Sequence, residues 1–213
     1  MLFNIWKLEW DNELLDILGG VPIDSLPEVR PSGSIHAYTD ENVLGAKIPI
    51  ACIIGDQQAA LFGQLAISPG MVKCTHGTGS FLLINIGSKP VITERLLTTI
   101  AWSYDKQLAY ALEGSIYASG ALIEWLLNNL GLGRSVAELE SMAEKCEPNN
   151  TLFIPAVLGL GAPYWNNKVR AMFMGLDLTT RKCQLIRAVY AVSYTHLRAH
   201  ETSLHLVCRL LLE

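Results

Sequence analysis

The period of the apolar positions changes several times along the chain, and each change predicts an element. Between Met1 and Pro31, Trp10, Leu14, Leu15 and Leu18 recur at helical spacing, with Asp11 placed to cap the helix and Gly19-Gly20 to end it. Trp6 and Trp10, four residues apart, read as packing rather than as pocket lining. Pro22, Pro27 and Pro31 then predict a loop. The run from Ile48 to Ile54 reads as a buried strand stopped by Gly55, and Gln57 to Leu65 returns to helical spacing with Asp56 as its candidate N-cap.

A strand pattern from Gly70 to Cys74 turns at Gly77-Thr78-Gly79 and returns through Phe81 to Ile86. Further strands are expected at Leu97 to Ser103 and Leu108 to Leu112, joined by a turn at Asp105-Lys106. Ser115 to Leu130 predicts an amphipathic helix with Gly120 inside it, and Ser135 to Lys145 a second with Glu138, Glu140 and Glu144 on its solvated face. A glycine inside a helix costs about 1 kcal/mol against alanine, so Gly120 marks a close approach of another element or of a ligand. Leu152 to Pro155 leads into the glycine-rich loop Gly159 to Trp165, which would either touch a ligand or shape a turn. A strand at Ala171 to Leu176 and a helix from Thr179 or Thr180 to Val192 complete the pattern, and no internal repeat is found.

Composition narrows the class. Half of the 213 residues are apolar, enough to bury a core in one large domain or two small ones. A net charge of -4 carries no basic excess, which argues against nucleic acid as a partner. No apolar run approaches the ~18 to 20 residues of a membrane span, so no membrane partner is expected. The first residues lack a basic region followed by an apolar core, so no secretory signal is read. Cys52, Cys74, Cys146, Cys183 and Cys208, scattered and odd in number, predict reduced thiols in a cytoplasmic protein.

The candidate chemistry lies between Gly55 and Phe81. Asp56, at the start of a helix, would accept a proton, and glycines flanking Thr78 would open the backbone to conformations closed to other residues and admit an anion to the amides. That pair points to phosphoryl transfer. At the other end, His196, His200 and Glu201 would supply half of a zinc site, but no glutamate lies between the histidines and a third ligand is unplaced, so no metal site is assigned. Ser193 to Glu213, which also holds His205, breaks the preceding helical register and reads as an artefactual read-through tail.

The motifs Asp56-Gln57-Gln58-Ala59-Ala60-Leu61-Phe62-Gly63-Gln64, His76-Gly77-Thr78-Gly79, Leu97-Thr98-Thr99-Ile100-Ala101 and Gly159-Leu160-Gly161-Ala162-Pro163-Tyr164-Trp165 occur in that order. Through them the chain resembles the FGGY carbohydrate kinases over roughly residues 1 to 192. GDQQAALFGQ brings it nearer to the members acting on glycerol than to those acting on xylulose or gluconate.

The resemblance implies an α/β, actin-like ATPase fold of two ribonuclease H-like domains, with residues 1–64 closing the first, substrate-binding domain and 65–192 opening the second, nucleotide-binding one. It implies ATP and a polyol substrate such as glycerol; Mg²⁺ follows from ATP chemistry, and a homo-oligomer is an option for the whole protein that the sequence does not decide. Asp56 would be the general base, Gln57 would hold a neighbouring hydroxyl, Gly77, Thr78 and Gly79 would contact the nucleotide phosphates, and Gly120 and Glu124 would lie beside the nucleotide.

Departures from the family matter as well. Glu124 stands where glutamine is common, Asn166-Asn167 where an aspartate is usual, and Leu44-Gly45-Ala46-Lys47 replaces the Gly-Gly-Thr-Arg of members inhibited by fructose 1,6-bisphosphate, so no such control is expected. The family's N-terminal phosphate loop, its arginine, glutamate and tyrosine contacts to the polyol and its late adenine segment have no counterpart here, which predicts that these 213 residues alone are inactive. The rival readings are a kinase for another polyol or sugar, a non-catalytic nucleotide-binding protein of actin-like fold, and a metal-dependent hydrolase built on the terminal histidines.

Overall fold

A computed structural model describes residues 2–192; the tail from Ser193, with His196, His200 and His205, lies outside the described residues. The chain divides into two compact units, each drawn from separate segments: Met1–Lys73, Leu83–Thr93 and Leu97–Leu112 form the first, and Cys74–Leu82, Glu94–Leu96 and Glu113–Glu213 the second.

The first unit opens with a short antiparallel pair, β1 (Phe3–Asn4) and β2 (Glu9–Trp10), followed by α1 (Asn12–Ile17). Trp10, expected in the helix, belongs to β2 instead, where its ring meets Phe3 edge-on at 5.6 Å and its indole N–H donates to Pro27 O. Asp11 caps α1 by accepting from Leu14 N, and Gly19 and Gly20 leave the helix at φ +101° and +77°, open to glycine without strain.

Next come β3 (Ala37–Tyr38), α2 (Glu41–Leu44, capped by Asp40) and β4 (Pro49–Ile50). The buried strand expected over 48–54 is reduced to β4, whose ladder partner is β3, and Ile48, Ile50 and Ile53 are exposed. A two-residue ladder covers neither face of an apolar run, so the pattern that reads as buried stays open to solvent here.

Helix α3 (Asp56–Gly63) buries Leu61 completely and lies against the large sheet, with Phe62 edge-on to Trp102 at 5.3 Å. That sheet comprises β5 (Val72–His76), β6 (Ser80–Gly87), β7 (Leu97–Tyr104) and β8 (Gln107–Ile116), in the order β5-β6-β8-β7. Asp105 and Lys106, both at positive φ, make the β7–β8 turn as expected. Leu83 and Ile84 of β6 and Ala111 and Leu112 of β8, successive residues that point to opposite faces, are each at 1% exposure or less, so the sheet is buried on both sides there. Tyr110 beside them donates its hydroxyl to Ile5 O, and burial pushes its phenol above the usual range.

The far ends of β5, β6 and β8 run on into the second unit, which continues with α4 (Gly120–Asn128), α5 (Val136–Glu144), β9 (Leu152–Ile154), β10 (Met172–Met174) and α6 (residues 182–192). Leu122, Leu126, Leu139, Phe153, Ile186 and Val189 interlock in its core. Each contributes about 1.5–3 kcal/mol by leaving water. The helix expected over 115–130 starts five residues later, because Ser115 and Ile116 are drawn into β8. Ser135 caps α5 through Glu138 N, and Glu138 in turn accepts from Arg134 N. The reduced thiols expected at Cys146 and Cys183 are also overturned: the two form a disulfide, with their Cα atoms 5.8 Å apart, that ties the end of α5 to the first turn of α6. Cys52 and Cys74 take no part in a disulfide.

Candidate active site

In the first unit, the candidate base stands at the start of α3. Gly55 holds the N-cap place expected for Asp56 and carries no side-chain cap, while Asp56 is the first helical residue. A Cβ at 55 would meet only the Gln58 amide oxygen, 2.6 Å away at the far end of a flexible side chain that can swing aside, so packing does not demand glycine there. Asp56 is exposed, and its Oδ1 accepts from Gln57 N at 2.8 Å. A carboxylate in the first turn is favoured by the positive end of the helix, and such a group keeps lone pairs for a further donor.

Gln57, half-buried, brings its side chain to Lys73 of β5, whose ammonium donates to Gln57 Oε1. Sequence reasoning passes over Lys73. Its partner lies 16 residues away, a separation that no local periodicity marks, and a single lysine in a strand otherwise reads as solvent-facing.

In the second unit, the turn joining β5 to β6 is seated on the start of α4. The Thr78 carbonyl accepts from Ser119 N at 2.8 Å and Ala121 N at 3.1 Å, and the Gly77 carbonyl from Gly120 N at 2.9 Å. These are the N–H groups that a helix start leaves without intrahelical partners. Gly120, expected inside its helix, is the first residue, and a Cβ there would come 2.6 Å from Gly77 O.

The two glycines of the turn differ in their reasons. Neither has positive φ, contrary to the conformational freedom expected of them. Gly79 is required by close approach, since a Cβ would lie 2.5 Å from Ile116 O. At Gly77 a Cβ would meet Gly79 O at 4.0 Å, an ordinary contact, so protein packing does not demand glycine there. Thr78 is exposed, and its amide and hydroxyl have no protein partner among the described residues. Ahead of the turn, His76 Nδ1 lies 2.9 Å from the hydroxyl of buried Ser80, and its Nε2 lies 3.4 Å from Cys74 Sγ. Glu124, one turn into α4, is exposed.

The loop from Gly159 to Trp165 closes on itself. Leu160 and Asn166 exchange backbone hydrogen bonds at 2.8 and 2.9 Å, Ala162 N donates to Ser115 O, and the Trp165 indole donates to Arg95 O at 3.0 Å. A Cβ on Gly161 would overlap Ser115 O, so this glycine fits the loop against the end of β8. Among the described residues no three of His, Cys, Asp and Glu gather as a metal-binding group, and no helix is long and apolar enough to cross a membrane.

A carboxylate at a helix start and a glycine turn with an open amide are groups of the kind that phosphoryl transfer can use. The N-terminal domain of the FGGY family of carbohydrate kinases matches residues 1–63 and its C-terminal domain residues 72–204, and the chain belongs to that family. Its α/β fold is accordingly part of the actin-like ATPase fold.

Relatives are more specific. The glycerol kinase of Thermococcus onnurineus is 47% identical over 91% of this chain and 40% of its own length, and that of Thermus thermophilus 50% identical over 88% and 38%. A crystal structure of Plasmodium falciparum glycerol kinase with ADP superposes with a TM-score of 0.75 at 38% identity, covering 88% of this chain and 38% of that one. The chain thus spans about two-fifths of the length of the curated relatives it matches.

Proposed function

We propose that the whole protein to which this chain belongs is an ATP-dependent glycerol kinase, moving the γ-phosphoryl group of ATP to glycerol to give glycerol 3-phosphate. The observation that carries the reading is Asp56, an exposed carboxylate in the first turn of α3. A polyol hydroxyl is a poor nucleophile, and a positioned carboxylate that takes its proton contributes about 100- to 10,000-fold to the rate. Gln57 holds the neighbouring hydroxyl. The Gly77-Thr78-Gly79 turn receives the nucleotide phosphates. The exposed Thr78 amide and hydroxyl are the donors, and the glycine that packing does not require at 77 leaves room for an anion. Gly120 underlies that turn, and Glu124 lies on the same helix toward the nucleotide.

Mg²⁺ brought with the nucleotide would neutralise charge on the transferring phosphates, and no residue of this chain is assigned to hold it. Residues 1–64 belong to the substrate domain and 65–192 to the nucleotide domain, in keeping with family matches that end at 63 and resume at 72.

The test uses the full-length protein with a panel of polyols and sugars. Asp56→Asn is expected to lower kcat on glycerol by at least about 100-fold while the protein keeps its fold. Unchanged turnover would remove the base assignment, and preference for another polyol or a pentulose would remove glycerol as the substrate.

A further inference from the structure

We propose that Lys73 is a positioning residue that fixes which end of the Gln57 amide faces the substrate, an inference that rests on the kinase reading above. Lys73 is 2% exposed, the largest side chain among those fully buried. Burying an ammonium and its four-carbon stem costs desolvation and rotamer freedom, so such a lysine persists only with a partner that uses its charge. Its Nζ donates to Gln57 Oε1.

The consequence follows from donor and acceptor chemistry. A glutamine amide has one accepting and one donating end, which exchange by a simple flip. An ammonium has three donors and no acceptor, so only the oxygen end of Gln57 fits against it. The NH₂ end is thereby turned away from β5. Gln57 is held twice, its backbone N–H by Asp56 Oδ1 and its side chain by Lys73. What it offers a ligand is a pair of donors, which selects an oxygen acceptor such as a polyol hydroxyl and rejects a cationic amine. Asp56 beside it takes the proton of the reacting hydroxyl. Lys73 thus sets the polarity of the recognition step without touching the substrate.

Two measurements test this. In the full-length enzyme, Lys73→Met is expected to raise KM for glycerol about tenfold or more, the cost of a charge-assisted hydrogen bond, with KM for MgATP unchanged. Added to Gln57→Ala it has no further effect, and Lys73→Arg restores part of the loss. In the 213-residue chain labelled with ¹⁵N, the Gln57 side-chain NH₂ pair, identified by its loss in Gln57→Ala, is expected to be dispersed in the wild type. In Lys73→Met, checked for folding by its thermal transition, it is expected to collapse toward the free-glutamine position.

If the pair keeps its wild-type shifts in folded Lys73→Met, the proposal is overturned whatever the enzyme does. It is also overturned if KM for glycerol stays within twofold, or if the effects of Lys73→Met and Gln57→Ala are additive. Loss of turnover in Asp56→Asn alongside unaffected Lys73→Met would keep the kinase reading and sink this one.

Discussion

At the scale of single residues, Gly120 and Gly77 separate structural glycines from one that packing leaves unexplained. In Gly120→Ala the new methyl would sit 2.6 Å from a backbone oxygen that is itself hydrogen-bonded, so neither side gives way cheaply. The expected loss is about 1–3 kcal/mol of stability, read as a lower denaturant midpoint. Gly77→Ala is expected to change stability by no more than about 0.5 kcal/mol, since its methyl meets nothing closer than 4.0 Å, yet to weaken ATP use in the full-length protein. A large stability loss in Gly77→Ala, or none in Gly120→Ala, would overturn this division. The sequence shows that both positions are glycine but not why, because the carbonyl that a methyl at 120 would strike is brought in from another part of the chain, while one at 77 strikes nothing. Asp56 is legible for a similar but opposite reason: its place at a helix start is a local pattern, and only the cap itself shifts by one residue, to Gly55. Lys73 is illegible because its role exists only through a partner on another element.

At the scale of elements, periodicity locates most helices and strands and misjudges their ends. The turn at Asp105-Lys106 is short-range chemistry and comes out as expected, whereas Ser135, read as part of its helix, caps it instead. The start of α4 also differs, because Ser115 and Ile116 satisfy their backbone in a sheet ladder that local spacing does not register. The strand over 48–54 fails the other way, its apolar run promising more cover than one short neighbouring strand gives. Cysteine spacing is equally silent on the bond between Cys146 and Cys183, which are 37 residues apart. Closing a loop of that length removes unfolded-state entropy worth up to about 4 kcal/mol. A reductant is therefore expected to lower the melting temperature of the oxidised chain, and Cys183→Ser to abolish that sensitivity. Identical melting with and without reductant, together with two free thiols at these positions in the unreduced protein, would show that the bond does not form in solution.

At the scale of the whole molecule, four motifs in order carry the family across most of the chain, and the family matches bear that out. Their order is legible because each motif is contiguous in sequence. The two units are not, being interleaved through strands that belong partly to each. Since the chain spans about two-fifths of its curated relatives, the purified 213 residues are expected to show no ATP- and glycerol-dependent turnover. Turnover by this chain that disappears in Asp56→Asn would refute that expectation. The interleaving also sets an order on biosynthesis. A ribosome that has released Lys73 has not yet supplied the first unit with residues 83–93 and 97–112, although residues of the second unit emerge in between. At about 5–20 residues per second, the stretch from Cys74 to Leu112 takes on the order of seconds to appear. During that interval α3 waits without β7, and Phe62 without the indole of Trp102, so the apolar side of α3 stays uncovered until β7 has emerged.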